Sequence, residues 1–216
     1  IGKSTSLGTA LVDMYAKCGF LAKALDVFNE ILIKDAFTWT ALMAGYAQLG
    51  QFKEVRASFN QMVSEGIVPD VVTFVVLLTA CSHSGLVEEG EMYFDTMKNV
   101  FCVVPTVDHC TCMVDLFSRA GHFDKAMVII EKAVPKGRLQ MFVALMASCR
   151  KWLNVHIGRW AFEHSVQLDV TYATVYVSMR NIYAATGLIE EAEKIEALQM
   201  QNKVWEAPGC CWWADG

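Results

Sequence analysis

A nine-residue pattern recurs six times along the chain. It is clearest at residues 113–121, Met-Val-Asp-Leu-Phe-Ser-Arg-Ala-Gly, and at 11–19, Leu-Val-Asp-Met-Tyr-Ala-Lys-Cys-Gly. Looser copies stand at 42–50, 77–85, 145–153 and 179–187. The closing positions are 31, 35, 36, 32 and 34 residues apart, which is the period of helix–turn–helix repeat units. Each copy reads as the last turns of a helix followed by a tight turn. An apolar face at helical spacing follows, as in Leu21, Ala24, Val27 and Phe28, or Phe123, Ala126, Ile129 and Ile130. Glycine at the turn suits the left-handed conformation that ends a helix. Leu153 stands where the other five copies carry glycine, so that turn is expected to be built differently. The pattern predicts an all-α, right-handed superhelical solenoid of helix–turn–helix repeats.

In such an array each unit contacts only its neighbours, so 216 residues bound the number of repeats, about six, rather than of domains. A hydrophobic fraction of 54% fits helices covered on two sides. No apolar run reaches the roughly 18–20 residues that cross a bilayer; the longest candidate, 71–80, is too short, and no membrane partner is expected. Most of the eight cysteines fall on predicted helices, among them Cys18, Cys81, Cys112 and Cys149, and read as thiols in a reducing compartment. The net charge of −5 argues against non-specific nucleic-acid binding, which needs a basic face, but leaves room for a few contacts in a narrow groove. The chain starts with Ile inside a repeat and is expected to be a fragment of a longer protein.

Periodicity alone also allows tetratricopeptide repeats. The residues are more specific, and the whole chain resembles a plant pentatricopeptide-repeat protein that alternates P-, L- and S-type motifs. Residues 1–35 resemble an S-type motif cut at its N-terminal edge, with Val27-Phe28 and Lys34-Asp35. Residues 36–70 resemble a P-type motif ending Val68-Pro69-Asp70, and 71–106 an L-type motif containing Ala80-Cys81-Ser82-His83-Ser84-Gly85. Residues 107–138 resemble a final S-type motif, although Gly137-Arg138 stands where the family usually has Pro-Asp. Residues 139–172 and 173–206 resemble the two E motifs of organellar RNA-editing factors, through Cys149-Arg150, Asn154-Val155, Gly158 and Asn181-Ile182-Tyr183-Ala184-Ala185. Residues 207–216 resemble a Pro-Gly box remnant, with Trp213-Ala214 replacing the usual Ile-Glu.

That resemblance implies single-stranded RNA as ligand, each base read by the fifth and last residues of a motif. Carried over, the pairs are Thr9 with Asp35, Thr40 with Asp70, Val75 with Thr106, and Thr111 with Arg138. A short hydroxyl and a carboxylate can both bond a base edge, and single-stranded bases expose that edge. The Thr/Asp pairs imply guanine over adenine at two adjacent positions. Phe37 and Val72 are expected to wedge between bases. Val75 has no hydrogen-bonding group and reads as spacer or core. Asp35 and Asp70 also stand where an N-cap would, immediately before predicted helices.

A zinc deaminase needs His-Xaa-Glu and Cys-Xaa-Xaa-Cys. None of the five histidines is followed two residues later by Glu, and no two cysteines have that spacing. The chain therefore reads as non-enzymatic, with no cofactor. His109, Cys110 and Cys112 suggest a metal cluster, but side chains at 110 and 112 diverge on a helix. Gly2-Lys3-Ser4 echoes the end of a phosphate-binding loop without the glycine and strand before it. The resemblance assigns protein docking to the E region: a deaminase of the DYW type in cis or trans, and editing cofactor proteins. Trp205, Pro208, Gly209 and Trp212 mark the candidate docking seam. It further implies a plant mitochondrion or chloroplast and C-to-U editing; a protein–protein scaffold without base reading, or an RNA processing or stability factor, is the alternative. Open solenoid ends also allow a homodimer in isolation.

Overall fold

The computed structural model describes residues 2–202 and 204. Among these residues all regular structure is helical, in twelve α-helices that form an all-α repeat solenoid. Two compact units divide the chain, Ile1–Ala120 and Gly121–Gly216. The first holds α1 (Gly2–Lys17), α2 (Leu21–Glu30), α3 (Ala36–Gln48), α4 (Phe52–Ser64), α5 (Val71–Ser84), α6 (Val87–Asn99) and α7 (Val107–Arg119). The second holds α8 (Phe123–Lys132), α9 (Pro135–Trp152), α10 (Val155–Leu168), α11 (Ala173–Ala185) and α12 (Ile189–Gln201). The stretch 107–138, a single motif by resemblance, contributes α7 to the first unit and α8 to the second.

In the first unit, two- or three-residue connections fold α1 back on α2, α3 on α4 and α5 on α6, as short loops require, whereas longer connections lead from one pair to the next. Within the first unit α1 packs on α2, α3 on α4, and α5 on α6; the first helices of the pairs also stack directly, α1 on α3, α3 on α5 and α5 on α7. Helices α3 and α5 are thus covered on several sides. Their composition matches: α3 buries Thr38 to Met43 consecutively, and α5 buries Phe74, Leu77, Leu78, Ala80 and Cys81. The paired helices α2 and α4 are amphipathic and bury only one stripe, Ala24 and Phe28 in α2 and Val55, Phe59 and Met62 in α4. Aromatic edges lock the layers: Phe59 meets Phe74 at 5.9 Å between centroids, and Phe101 meets Phe74 at 5.6 Å.

The second unit repeats the scheme with α9 against α8, α10 and α11, around Met141, Phe142, Leu145, Met146, Phe162, Tyr176 and Met179. Tyr176 is fully buried and its hydroxyl donates to Val170 O at 2.9 Å, satisfying the polar end of a core aromatic.

The turns follow one plan. After α5, Gly85 (φ 68°) donates to Ser82 O and Leu86 N–H reaches back to Cys81 O. The turn after α9 does not differ, contrary to the expectation from its missing glycine. Leu153 adopts φ 53° and ψ 32°, and Asn154 N–H reaches Cys149 O at 2.9 Å, the same closure. A left-handed leucine costs roughly 1–2 kcal/mol. Asn154 offsets part of that, because its side chain caps α10 by accepting from Ile157 N–H at 3.1 Å.

The six described cysteines are free thiols. Cys81 and Cys149 are fully buried, and burial pushes each thiol up to about 12, so they behave as small hydrophobes. Cys18 instead lies exposed in the turn after α1. Among the described residues no helix is long and apolar enough to cross a membrane.

Candidate nucleic-acid interface

The N-termini of α3 and α5 carry the same side-chain construction. Asp35 is the N-cap of α3, and its Oδ1 accepts from Thr38 N–H at 2.8 Å and from the Thr38 hydroxyl at 2.7 Å. Asp70 is the N-cap of α5, and its Oδ1 accepts from Thr73 N–H and from the Thr73 hydroxyl, both at 2.9 Å. Asp70 N–H also donates to Thr73 Oγ1 at 3.2 Å, closing a reciprocal capping box. In each case the bridging threonine touches the preceding repeat as well: Thr38 Oγ1 lies 2.9 Å from Thr9 Oγ1, and Thr73 Oγ1 lies 3.0 Å from Thr40 Oγ1.

Thr9 and Asp35, and likewise Thr40 and Asp70, are therefore brought together, each pair through one buried hydroxyl. Asp35 and Asp70 are exposed, whereas Thr9 and Thr40 are only 4% and 5% exposed, so any ligand meets a narrow edge of each hydroxyl. Phe37 and Val72, second residues of α3 and α5, are 60% and 54% exposed beside these pairs. Lys34 does not neutralise Asp35: its ammonium donates to Ile31 O at 2.8 Å and sits 4.9 Å over the Phe28 ring.

The third and fourth pairs are built differently. Val75 is half-buried and offers no side-chain polar group. Its partner Thr106 is tied to His109, which is fully buried, occupies the place of Thr38 and Thr73, and has Nδ1 2.8 Å from Thr106 Oγ1. Thr106 N–H donates to that same Nδ1 at 3.1 Å, which puts the ring proton on Nε2, and Nε2–H donates to Val71 O at 2.9 Å. Burial lowers the imidazole's proton affinity, in keeping with a neutral ring. Thr111 donates its hydroxyl to Val107 O within its own helix at 2.8 Å. Arg138 lies in the second unit and caps α8, donating from Nε to Ala133 O at 2.9 Å and from Nη2 to Glu131 O at 2.8 Å. Trp205, Pro208, Gly209 and Trp212 lie outside the described residues.

Thr38 and Thr73 were not among the residues singled out from the sequence, and His109 was weighed there only as a metal ligand. The signal was present as a three-residue spacing from each cap, in Asp35-Ala-Phe-Thr38, Asp70-Val-Val-Thr73 and Thr106-Val-Asp-His109. Further polar contacts continue between α5 and α7, Thr79 to Cys112 at 3.3 Å and Ser82 donating to Asp115.

The cap at Asp35 has a pH signature. The Thr38 hydroxyl and amide bonds hold the Asp35 carboxyl below its ordinary range against the opposing effect of burial. A carboxyl depressed in the folded state stabilises it fully above the unfolded pKa, about 3.9, and that stability is lost as pH falls through the lower folded value. Asp35→Asn keeps a capping oxygen but does not titrate there. The stability advantage of wild type over Asp35→Asn is thus expected to shrink as pH drops below about 4, as read by urea midpoints at several pH values.

Comparison with known proteins agrees with this architecture. The PPR repeat family model matches residues 34–83, and the PPR repeat model matches 9–35, 72–100 and 108–134. A mitochondrial pentatricopeptide repeat-containing protein of Arabidopsis thaliana is 41% identical over 202 residues, covering 94% of this chain and 33% of its own length. A second mitochondrial one from the same plant is 36% identical over 207 residues, covering 96% and 30%. The chain thus spans about a third of the length of the curated relatives it matches. Among solved structures, the pentatricopeptide repeat protein PPR10 in complex with an 18-nucleotide psaJ RNA element aligns with a TM-score of 0.74 at 18% identity, over 92% of this chain and 30% of that one. The PPR domain of Arabidopsis thaliana protein-only RNase P 1, in complex with tRNA, aligns with a TM-score of 0.61 at 19% identity, over 88% and 99%. Repeat models over more than half the chain, relatives of that similarity and a shared solenoid lead to one assignment: the chain belongs to the pentatricopeptide-repeat family.

Proposed function

We propose that this chain is the RNA-reading segment of an organellar editing factor, binding single-stranded RNA and specifying a cytidine for C-to-U conversion. One observation carries the base-reading part: two successive repeats hold the same Thr/Asp pair at the same place, joined by the same bridging hydroxyl. A cap alone needs Asp and the residue three further on. It does not need a hydroxyl from the previous repeat aligned with both.

In this reading residues 1–35, 36–70, 71–106 and 107–138 are S-, P-, L- and S-type motifs, and 139–172 and 173–206 are two E motifs. Thr9/Asp35 and Thr40/Asp70 face two adjacent guanines, with Phe37 and Val72 wedged between bases. Val75 and Thr111 contribute little, since one lacks a polar group and the other spends its hydroxyl on its own helix. The E region docks a DYW-type deaminase or editing cofactors, with the seam at Trp205, Pro208, Gly209 and Trp212. The mitochondrion is favoured over the chloroplast because several relatives are mitochondrial proteins by name. A scaffold without base reading is the second proposal; Arg138, held on the carbonyls that end α8, favours it at the fourth pair.

The test is RNA selection with the full-length protein, wild type against Thr40→Asn. The expected result is a change of preference from guanine towards a pyrimidine at one nucleotide, with its neighbours unchanged. Specific binding without that shift would remove the register proposed here. Absence of specific RNA binding would favour the scaffold.

A further inference from the structure

The hydrogen-bond chain at each pair has a direction. An aspartate carboxylate only accepts, and a threonine hydroxyl has one hydrogen to give. Thr73 gives its hydrogen to Asp70 Oδ1 and accepts from Asp70 N–H. Thr73 Oγ1 can therefore only accept from Thr40, and at 3.0 Å it takes the single hydrogen that Thr40 has. Thr38 likewise gives its hydrogen to Asp35, so across the 2.9 Å contact only Thr9 can be the donor. Both bridging threonines are 0% exposed, so neither touches a ligand.

We infer that Thr38 and Thr73 are positioning residues that turn the reading hydroxyls of Thr9 and Thr40 into obligate hydrogen-bond acceptors, and so decide between guanine and adenine. With its hydrogen spent, Thr40 offers a base only lone pairs, and the Asp70 carboxylate beside it does likewise. Guanine's Watson–Crick edge presents adjacent donors, N1–H and N2–H, to such a pair. Adenine presents one donor beside the N1 acceptor, which would face the lone pairs of Thr40. Each bridging residue stands in the repeat after the one whose base it governs, Thr38 in the motif that carries Thr40 and Thr73 in the motif that carries Val75. At the third pair His109 fills this place, but Val75 has no hydroxyl to orient, and His109 Nε2–H goes to Val71 O instead.

The inference rests on the base-reading function proposed above, and the experiment separates the two. RNA selection is run with the full-length protein as wild type, Thr73→Val, Thr73→Ser and Thr38→Val. Valine preserves shape and removes the acceptor, so the Thr40 hydrogen becomes free to meet adenine N1. The guanine-to-adenine ratio facing the second motif is expected to fall about tenfold, the discrimination of a single well-made base contact. Thr73→Ser restores the hydroxyl and is expected to keep the wild-type ratio. Thr38→Val is expected to shift the ratio only at the nucleotide facing the first motif, and serves as an independent probe where Thr73→Val does not fold. A wild-type guanine preference that survives both valine variants overturns the inference and leaves base reading standing. A shift that serine fails to rescue also overturns it, since packing would then be the cause. No guanine preference in wild type removes the base-reading proposal, and this inference with it.

Discussion

Phe74→Ala is expected to destabilise the first unit by about 3–5 kcal/mol, the cost of deleting a fully buried aromatic ring and leaving a cavity. Phe74 is 0% exposed on α5, between the Phe59 ring of α4 and the Phe101 ring after α6, and Phe59 in turn meets Tyr93 of α6 at 5.7 Å. α5 therefore loses its aromatic contacts with α4 and with the segment after α6 at once. In a repeat array this loss is not shared across the chain, because each unit relies on its immediate neighbours. The expected outcome in urea is a lower midpoint for the first unit, with hydrogen-exchange protection falling first in α4, α5 and α6. Phe74→Leu refills most of the volume and is expected to cost less than half as much. If alanine cost under about 1 kcal/mol, the aromatic cluster would not be what holds these repeats together.

The sequence made the repeats legible because the constraint is local and periodic. Glycines at 19, 50, 85, 121 and 187 and apolar faces at helical spacing report the backbone directly. Leu153 was misjudged because a left-handed residue is a matter of cost rather than of possibility, and a cap at Asn154 offsets part of it. For the site, the pairs came from family resemblance, and their geometry could not come from the sequence. Thr9 and Thr38 are 29 residues apart and Thr40 and Thr73 are 33 apart, and only stacking of α1 on α3 and α3 on α5 makes them neighbours. For Asp35 and Asp70, capping does not exclude the proposed base reading. One carboxylate oxygen caps the helix and orients the threonine, which leaves the other oxygen for a ligand. Arg138 shows the reverse: its position suggested reading, and its guanidinium is engaged by two helix-end carbonyls.

Stacking of the first helices depends on Gly45, and this gives the second large effect. A Cβ placed there would lie 2.7 Å from Ala16 Cβ and from Leu21 Cδ2, and 3.2 Å from Ala16 Cα. The end of Leu21 can swing away. Ala16 cannot, since its Cβ is fixed to the α1 backbone and it is only 2% exposed. Replacing a helical glycine by alanine gains up to about 1 kcal/mol of helix propensity, and overpacking of this kind costs about 1–3 kcal/mol. Gly45→Ala is therefore expected to be mildly destabilising. Gly45→Val adds two methyl groups and gains less propensity, so about 2–3 kcal/mol of net destabilisation is expected in urea titration. The clash should also reach the ligand edge. α1 and α3 can relieve it only by moving apart, and the 2.9 Å contact between Thr9 and Thr38 spans that same pair of helices. An opening beyond about 0.5 Å takes it out of hydrogen-bonding range. The Thr40–Thr73 contact spans α3 and α5 and is spared. In RNA selection Gly45→Val is expected to weaken discrimination at the nucleotide facing Thr9 and leave the one facing Thr40 unchanged. Equal weakening at both would mean that helix spacing does not control base reading locally.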